Sequence, residues 1–96
     1  MIRHIVMWKL KEGIDREQTA REIKKQLEKL PGKIPGLLSL EVGIGKNPED
    51  VVLISAHSDW EALKAYASHP LHVAAADTYV RPFTASRQAV DYETEA

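Results

Sequence analysis

The stretch Ile2 to Leu10 constrains the fold more than any other part of the sequence. Its even positions are Ile2, His4, Val6, Trp8 and Leu10, and its odd positions are Arg3, Ile5, Met7 and Lys9. Side chains of an extended segment point alternately to opposite faces, so this stretch reads as a strand with its even face toward a core. His4 is the one polar member of that face. The odd face mixes apolar and basic residues.

The periodicity then changes. Asp15 is placed to cap a helix, and Gln18 three residues later completes a capping-box pattern. Ala20, Ile23, Leu27 and Leu30 recur at the spacing of one helix face, with Glu17/Arg21 and Lys24/Glu28 expected on the solvent side. Pro31-Gly32 ends this helix, and Pro35-Gly36 opens a second strand in which Leu38, Leu40, Val42 and Ile44 alternate with Ser39, Glu41 and Gly43. A loop from Gly45 to Asp50, containing Asn47-Pro48, leads to a third strand, Val51 to His57. The first four residues of that strand are apolar on both faces, the mark of a strand inside a sheet. Ser58 with Glu61 resembles a second capping box, and Trp60, Leu63, Tyr66 and Ala67 follow helical spacing. Pro70 breaks that helix and opens another, expected to run from His72 to Arg81 and to stop at Pro82. The last strand is expected from Phe83 to about Glu93.

The order β-α-β-β-α-β is the ferredoxin-like arrangement of the α+β class, an antiparallel four-stranded sheet with helices on one face. With 96 residues and no repeat, low-complexity tract or linker, residues 1–96 read as a single domain. Such a sheet leaves its second face bare, here with Ile5, Met7 and part of the third strand, and a second copy about a two-fold axis is the expected partner. Thirteen basic and fourteen acidic residues leave a net charge of −1, which argues against a nucleic-acid partner. No apolar run is long enough to span a bilayer, and no long apolar segment follows Met1. With no cysteine as well, a cytoplasmic location is expected, away from membranes.

Four histidines offer general acid–base chemistry near neutral pH. His4, on the core face of the first strand, is placed to meet His72 on the helix opposite. Tyr66 lies one and two turns before His69 and His72. A tyrosine that holds a carbonyl oxygen beside a histidine that takes a proton from the adjacent carbon is minimal equipment for aldol-type cyclisation, enolisation or isomerisation. The bland alternatives are a buried His4–His72 pair, Tyr66 as a core residue with its hydroxyl at the rim, and His69 as a helix-entry residue with no further role. Trp8 and Trp60 read first as aromatic core anchors. His69 and His72 form H-x-x-H, but no third ligand stands in helical register, so neither a metal nor a cofactor is expected.

Three segments line up with one family. They are Ile2-Arg3-His4-Ile5-Val6-Met7-Trp8-Lys9-Leu10-Lys11, then Tyr66-Ala67-Ser68-His69-Pro70-Leu71-His72-Val73 with Asp77 and Tyr79, and finally Val90-Asp91-Tyr92-Glu93. The whole chain resembles the stress-responsive dimeric α/β-barrel (Dabb) family, whose most specific element is the Tyr-x-x-His-Pro-x-His segment. The resemblance implies a homodimer in which two sheets face each other. It also implies a pocket between helices and sheet like that of the olivetolic acid cyclase-like polyketide cyclases. Carried over residue by residue, it makes His72 and Tyr66 the catalytic candidates, and His4, Trp8 and His69 the substrate-binding ones. Two pocket positions of the cyclase branch are changed, to Gln26 and Val51. Three functions follow from the resemblance: a cofactor-independent cyclase, lyase or isomerase of a small, partly apolar carbonyl compound; a non-catalytic ligand-binding or stress-associated homodimer; and a cofactor-free monooxygenase of the same superfamily.

Overall fold

A computed structural model describes residues 1–47 and 49–94. Pro48, which the sequence places in the loop between the second and third strands, lies outside the described residues. The elements are β1 (Ile2–Leu10), α1 (Arg16–Leu27), β2 (Leu37–Ile44), β3 (Asp50–His57), α2 (Trp60–Ser68), α3 (Pro70–Ala75), a π-helical turn (Ala76–Val80), a 3-10 turn (Arg81–Phe83) and β4 (Thr84–Glu93). The strands form one antiparallel sheet in the order β2-β3-β1-β4, so the doubly apolar β3 is indeed interior. This is the ferredoxin-like arrangement.

Register explains which side chains meet. Ile2 stands opposite His57, His4 opposite Ser55, Val6 opposite Leu53 and Trp8 opposite Val51. The even side of β1 and the odd side of β3 therefore share the helix-covered face. Ile2, Val6, Trp8, Leu10, Val51 and Leu53 pack there against Ala20, Ile23 and Leu27 of α1 and Leu63 and Tyr66 of α2.

Several local expectations are corrected. The helix α1 is capped by Asp15, whose carboxylate accepts from the Gln18 N–H at 3.0 Å, but it stops at Leu27. Leu30 reaches the core from the turns that follow. Lys24 and Glu28 are not simply solvated. The Glu28 carboxylate accepts from the Val42 N–H at 3.0 Å, and Lys24 donates both to Glu28 at 2.8 Å and to the Val42 carbonyl at 2.6 Å. The end of α1 thus satisfies backbone groups on the free edge of β2. Burial alone would raise the Glu28 carboxyl, yet the hydrogen bonds from Lys24 and Val42 outweigh it and hold its pKa below the ordinary carboxylate value.

In β2 a bulge between Leu37 and Ser39 shifts the register. Leu37 takes the buried position and Leu38, expected inward, is exposed. The cap of α2 is Asp59 rather than Ser58, accepting from the Ala62 N–H at 2.8 Å. Gly36 sits at φ +83°, and a Cβ there would lie 2.6 Å from the Ala62 Cβ, so glycine alone lets the β2 entrance pass α2 this closely. The helix break falls at His69, with Pro70 in the first turn of α3. Instead of one helix to Arg81, the chain widens into the π-helical turn and then tightens into the 3-10 turn that holds Pro82.

Candidate functional site

The helices cover β2, β3 and β1 but leave β4 open along its length. Between β1, β4 and the α2–α3 segment lies a cavity of about 550 Å³. That is within the range of about 300–1,000 Å³ over which proteins hold small ligands. Val6, Trp8, Leu53, Leu63 and Val80 form its apolar walls, and His4, Tyr66 and His72 supply polar groups. His69 is not on its wall. Its Nδ1 accepts from the Leu71 N–H at 3.1 Å and caps α3, because the residue before Pro70 is extended and faces the new helix start.

Tyr66 stands at the centre of the polar cluster. Its ring centroid is 4.2 Å from that of His72, 4.8 Å from His57 and 6.2 Å from His4. The break at His69 makes the closest approach possible by letting His72 leave the helical phase of Tyr66. His4 and His72 share no hydrogen bond among the described residues. Instead the His4 Nδ1 is hydrogen-bonded to the Asp91 carboxylate, its neighbour across the β1–β4 ladder, and the His72 Nδ1 lies 3.2 Å from the Ala67 carbonyl. An acceptor on Nδ1 fixes the proton there, so in its neutral form each ring keeps its lone pair on Nε2.

His57, at the end of β3, is a further member of this cluster. It is fully buried, with Nε2 2.9 Å from the Ser55 hydroxyl and Nδ1 without a partner among the described residues. Its signal in the sequence is alternation, which through Val51, Leu53 and Ser55 turns His57 to the same face. Burial, reinforced by the His4 and His72 rings, holds its pKa down at about 4 despite the opposing Asp91 charge.

The Tyr66 hydroxyl is also buried and without a partner among the described residues, and burial pushes its pKa well above the ordinary phenol value. His72 is shifted down, first by burial and then by Arg81, His4 and Arg87, against the raising effect of the Ala67 carbonyl. At neutral pH the cavity therefore holds a protonated phenol beside an uncharged imidazole, a hydrogen-bond donor next to a base.

A four-stranded antiparallel sheet with helices on one face, a bare second face and a polar cluster in the helix–sheet cleft defines a ferredoxin-like α+β protein. The Stress responsive A/B Barrel Domain model matches residues 2–94, and the chain belongs to that family. Among solved structures, a dimeric protein of unknown function with a ferredoxin-like fold from Bacteroides fragilis is 33% identical, with a TM-score of 0.87 over 97% of this chain and 95% of that one. A dimeric ferredoxin-like protein of unknown function from Thermobifida fusca is 26% identical, with a TM-score of 0.81 over 97% and 90%. A putative antibiotic biosynthesis monooxygenase from Nitrosomonas europaea shares the fold at 19% identity, with a TM-score of 0.83 over the whole of both chains. No curated protein matches the chain.

Proposed function

We propose that this protein binds a small, partly apolar carbonyl compound in the helix–sheet cavity and acts on it as a cofactor-independent cyclase, lyase or isomerase. The observation that carries this reading is the Tyr66 hydroxyl, buried and without a partner among the described residues, beside His72 on the wall of a partly apolar cavity. A buried donor left without a partner costs about 1–3 kcal/mol, and a ligand oxygen would recover it.

In the reaction, His72 Nε2 removes a proton from the carbon next to the carbonyl. The electron pair moves to the carbonyl oxygen, where the Tyr66 O–H stabilises the developing charge. Where a C=C bond is conjugated with it, the enolate takes the proton back from imidazolium at the far end of the conjugated system, which is isomerisation. Alternatively it attacks a second carbonyl of the same molecule, whose oxygen receives the proton, which is cyclisation. His4, held by Asp91, and Trp8 bound the same volume and position the ligand. The location proposed for this activity is the cytoplasm; no helix among the described residues is long and apolar enough to cross a membrane.

The working unit is a homodimer joined through the bare sheet faces. Met7, Val90 and Tyr92 are 48%, 54% and 42% exposed there, an apolar surface that a second copy would cover. A hollow of about 450 Å³ on this face, with Met7 and Val52 on its walls, has the Lys9–Asp50 pair at its rim. Relatives described as dimeric support the same reading.

The test is proton–deuterium exchange at the carbon beside the carbonyl of bound diketones in heavy water. His72→Ala is expected to abolish exchange while the fold persists. Binding with no exchange in the parent protein would instead leave a ligand-binding homodimer, and uptake of oxygen with a quinol would place the protein beside the neighbours named as monooxygenases.

A further inference from the structure

The mouth of the cavity is cationic. Lys64 from α2, Arg81 from the 3-10 turn and Arg87 from β4 all border it, against the single carboxylate of Asp91. That carboxylate is engaged with His4, and Arg81 is paired with Asp77 one turn earlier. Among the described residues no carboxylate lies within ion-pair distance of Lys64 or Arg87. Arg87 stands opposite Trp8 in the β1–β4 register, and Trp8 belongs to the helix-covered face. Alternation therefore turns the guanidinium toward the cavity, and Arg87 also borders the hollow of the bare face.

We propose that the cavity selects a carbonyl compound that also carries a carboxylate, its apolar body lying against Val6, Trp8, Leu53 and Leu63 and its carboxylate at the mouth between Lys64 and Arg87. The inference rests on the cavity being a ligand site and adds the charge of the ligand. Arginine and lysine bind carboxylates by charge-assisted hydrogen bonds that a neutral amide cannot match. A second consequence concerns the base. His72 faces Tyr66, His4 and the cationic Arg81 and Arg87, with Asp91 and Lys64 on the same walls. The two guanidiniums disfavour its protonation, so a bound carboxylate that offsets them makes His72 a stronger base only while substrate is present.

The probes are 3-phenylpropanoate and its neutral amide, titrated against the full chain while the His72 ring protons are followed by NMR. The carboxylate is expected to bind about tenfold or more tightly than the amide. It should also lose affinity with added salt and raise the pH at which His72 titrates. The double variant K64Q/R87Q should keep the amide affinity and lose the carboxylate's advantage and its salt dependence. If carboxylate and amide bind alike, the charge preference falls while the cavity remains a ligand site. Loss of amide binding in K64Q/R87Q would assign the two residues to cavity shape and equally overturn it. If neither probe moves His72, the ligand-site reading fails and this inference with it.

Discussion

Acidification acts on one buried group above all, the His57 imidazole. Burial first, and the His4 and His72 rings after it, hold its pKa at about 4, against 6.5 for an ordinary histidine. As the pH falls through about 6.5 the unfolded chain takes up a proton here that the folded chain refuses until about 4. The stabilisation is therefore complete above the unfolded value and is lost progressively as the pH drops toward the folded one. At about 1.4 kcal/mol per pKa unit, going from neutral pH to about pH 5 removes about 2 kcal/mol. His72, also shifted down, adds in the same direction. Urea unfolding at the two pH values and one protein concentration measures this loss, the ring-proton titration of His57 measures its source, and about pH 5 is still above the range where most carboxylates titrate. His57→Phe leaves the Ser55 hydroxyl without its partner and lowers stability at neutral pH, so the slope rather than the level is the diagnostic quantity. The variant should keep only the slope that His72 supplies. An unchanged slope, or a His57 that titrates near its ordinary value, would refute the reasoning.

Four further outcomes are expected. Tyr66→Phe removes a buried hydroxyl that has no partner among the described residues, so thermal unfolding should show equal or higher stability together with loss of ligand binding; marked destabilisation would mean the hydroxyl is a structural group. Asp15→Ala should cost about 1 kcal/mol through the lost cap of α1, read as a drop of about 4–8 °C in melting temperature. Gly36→Ala, which combines positive φ with a 2.6 Å approach to Ala62, should cost at least about 2 kcal/mol in urea unfolding, since strain and overpacking add. Val90→Glu on the bare sheet face should shift sedimentation from dimer toward monomer, and a dimer that tolerates the charge would place the interface elsewhere.

The order of elements was legible because the hydrophobic period changes cleanly along the chain, from the alternation of Ile2–Leu10 to the Ala20-Ile23-Leu27 stripe and back. Details that depend on tertiary contacts were not. Nothing local distinguishes Leu37 from Leu38 as the inward residue, because a bulge is decided by the pairing with β3. Lys24 and Glu28 look like a surface pair until the edge of β2 arrives beside them. The cavity was legible in part: His4 by alternation, and Tyr66 and His72 by the motif around Pro70, all fall on its wall. His69 does not, since the same proline that brings His72 toward Tyr66 turns His69 into a cap. Arg81 and Arg87 gave no signal at all, as their places on the cavity depend on a π-helical turn and on a β4 register that its polar sequence does not advertise.

The shortness of α3 carries a consequence for motion. Six residues are too few to hold a helix alone, and none of them is fully buried, so little core is disturbed when this segment opens. Its order depends on the His69 cap, on Pro70 and on continuity with the turn that buries Ala76 and Val80. Local unfolding there would withdraw His72 and uncover one side of the cavity while the sheet and α1 stay intact. Amide exchange over residues 71–75 should thus outpace that of β1 and β3, and the residue proposed as the base rides on a segment that buries little.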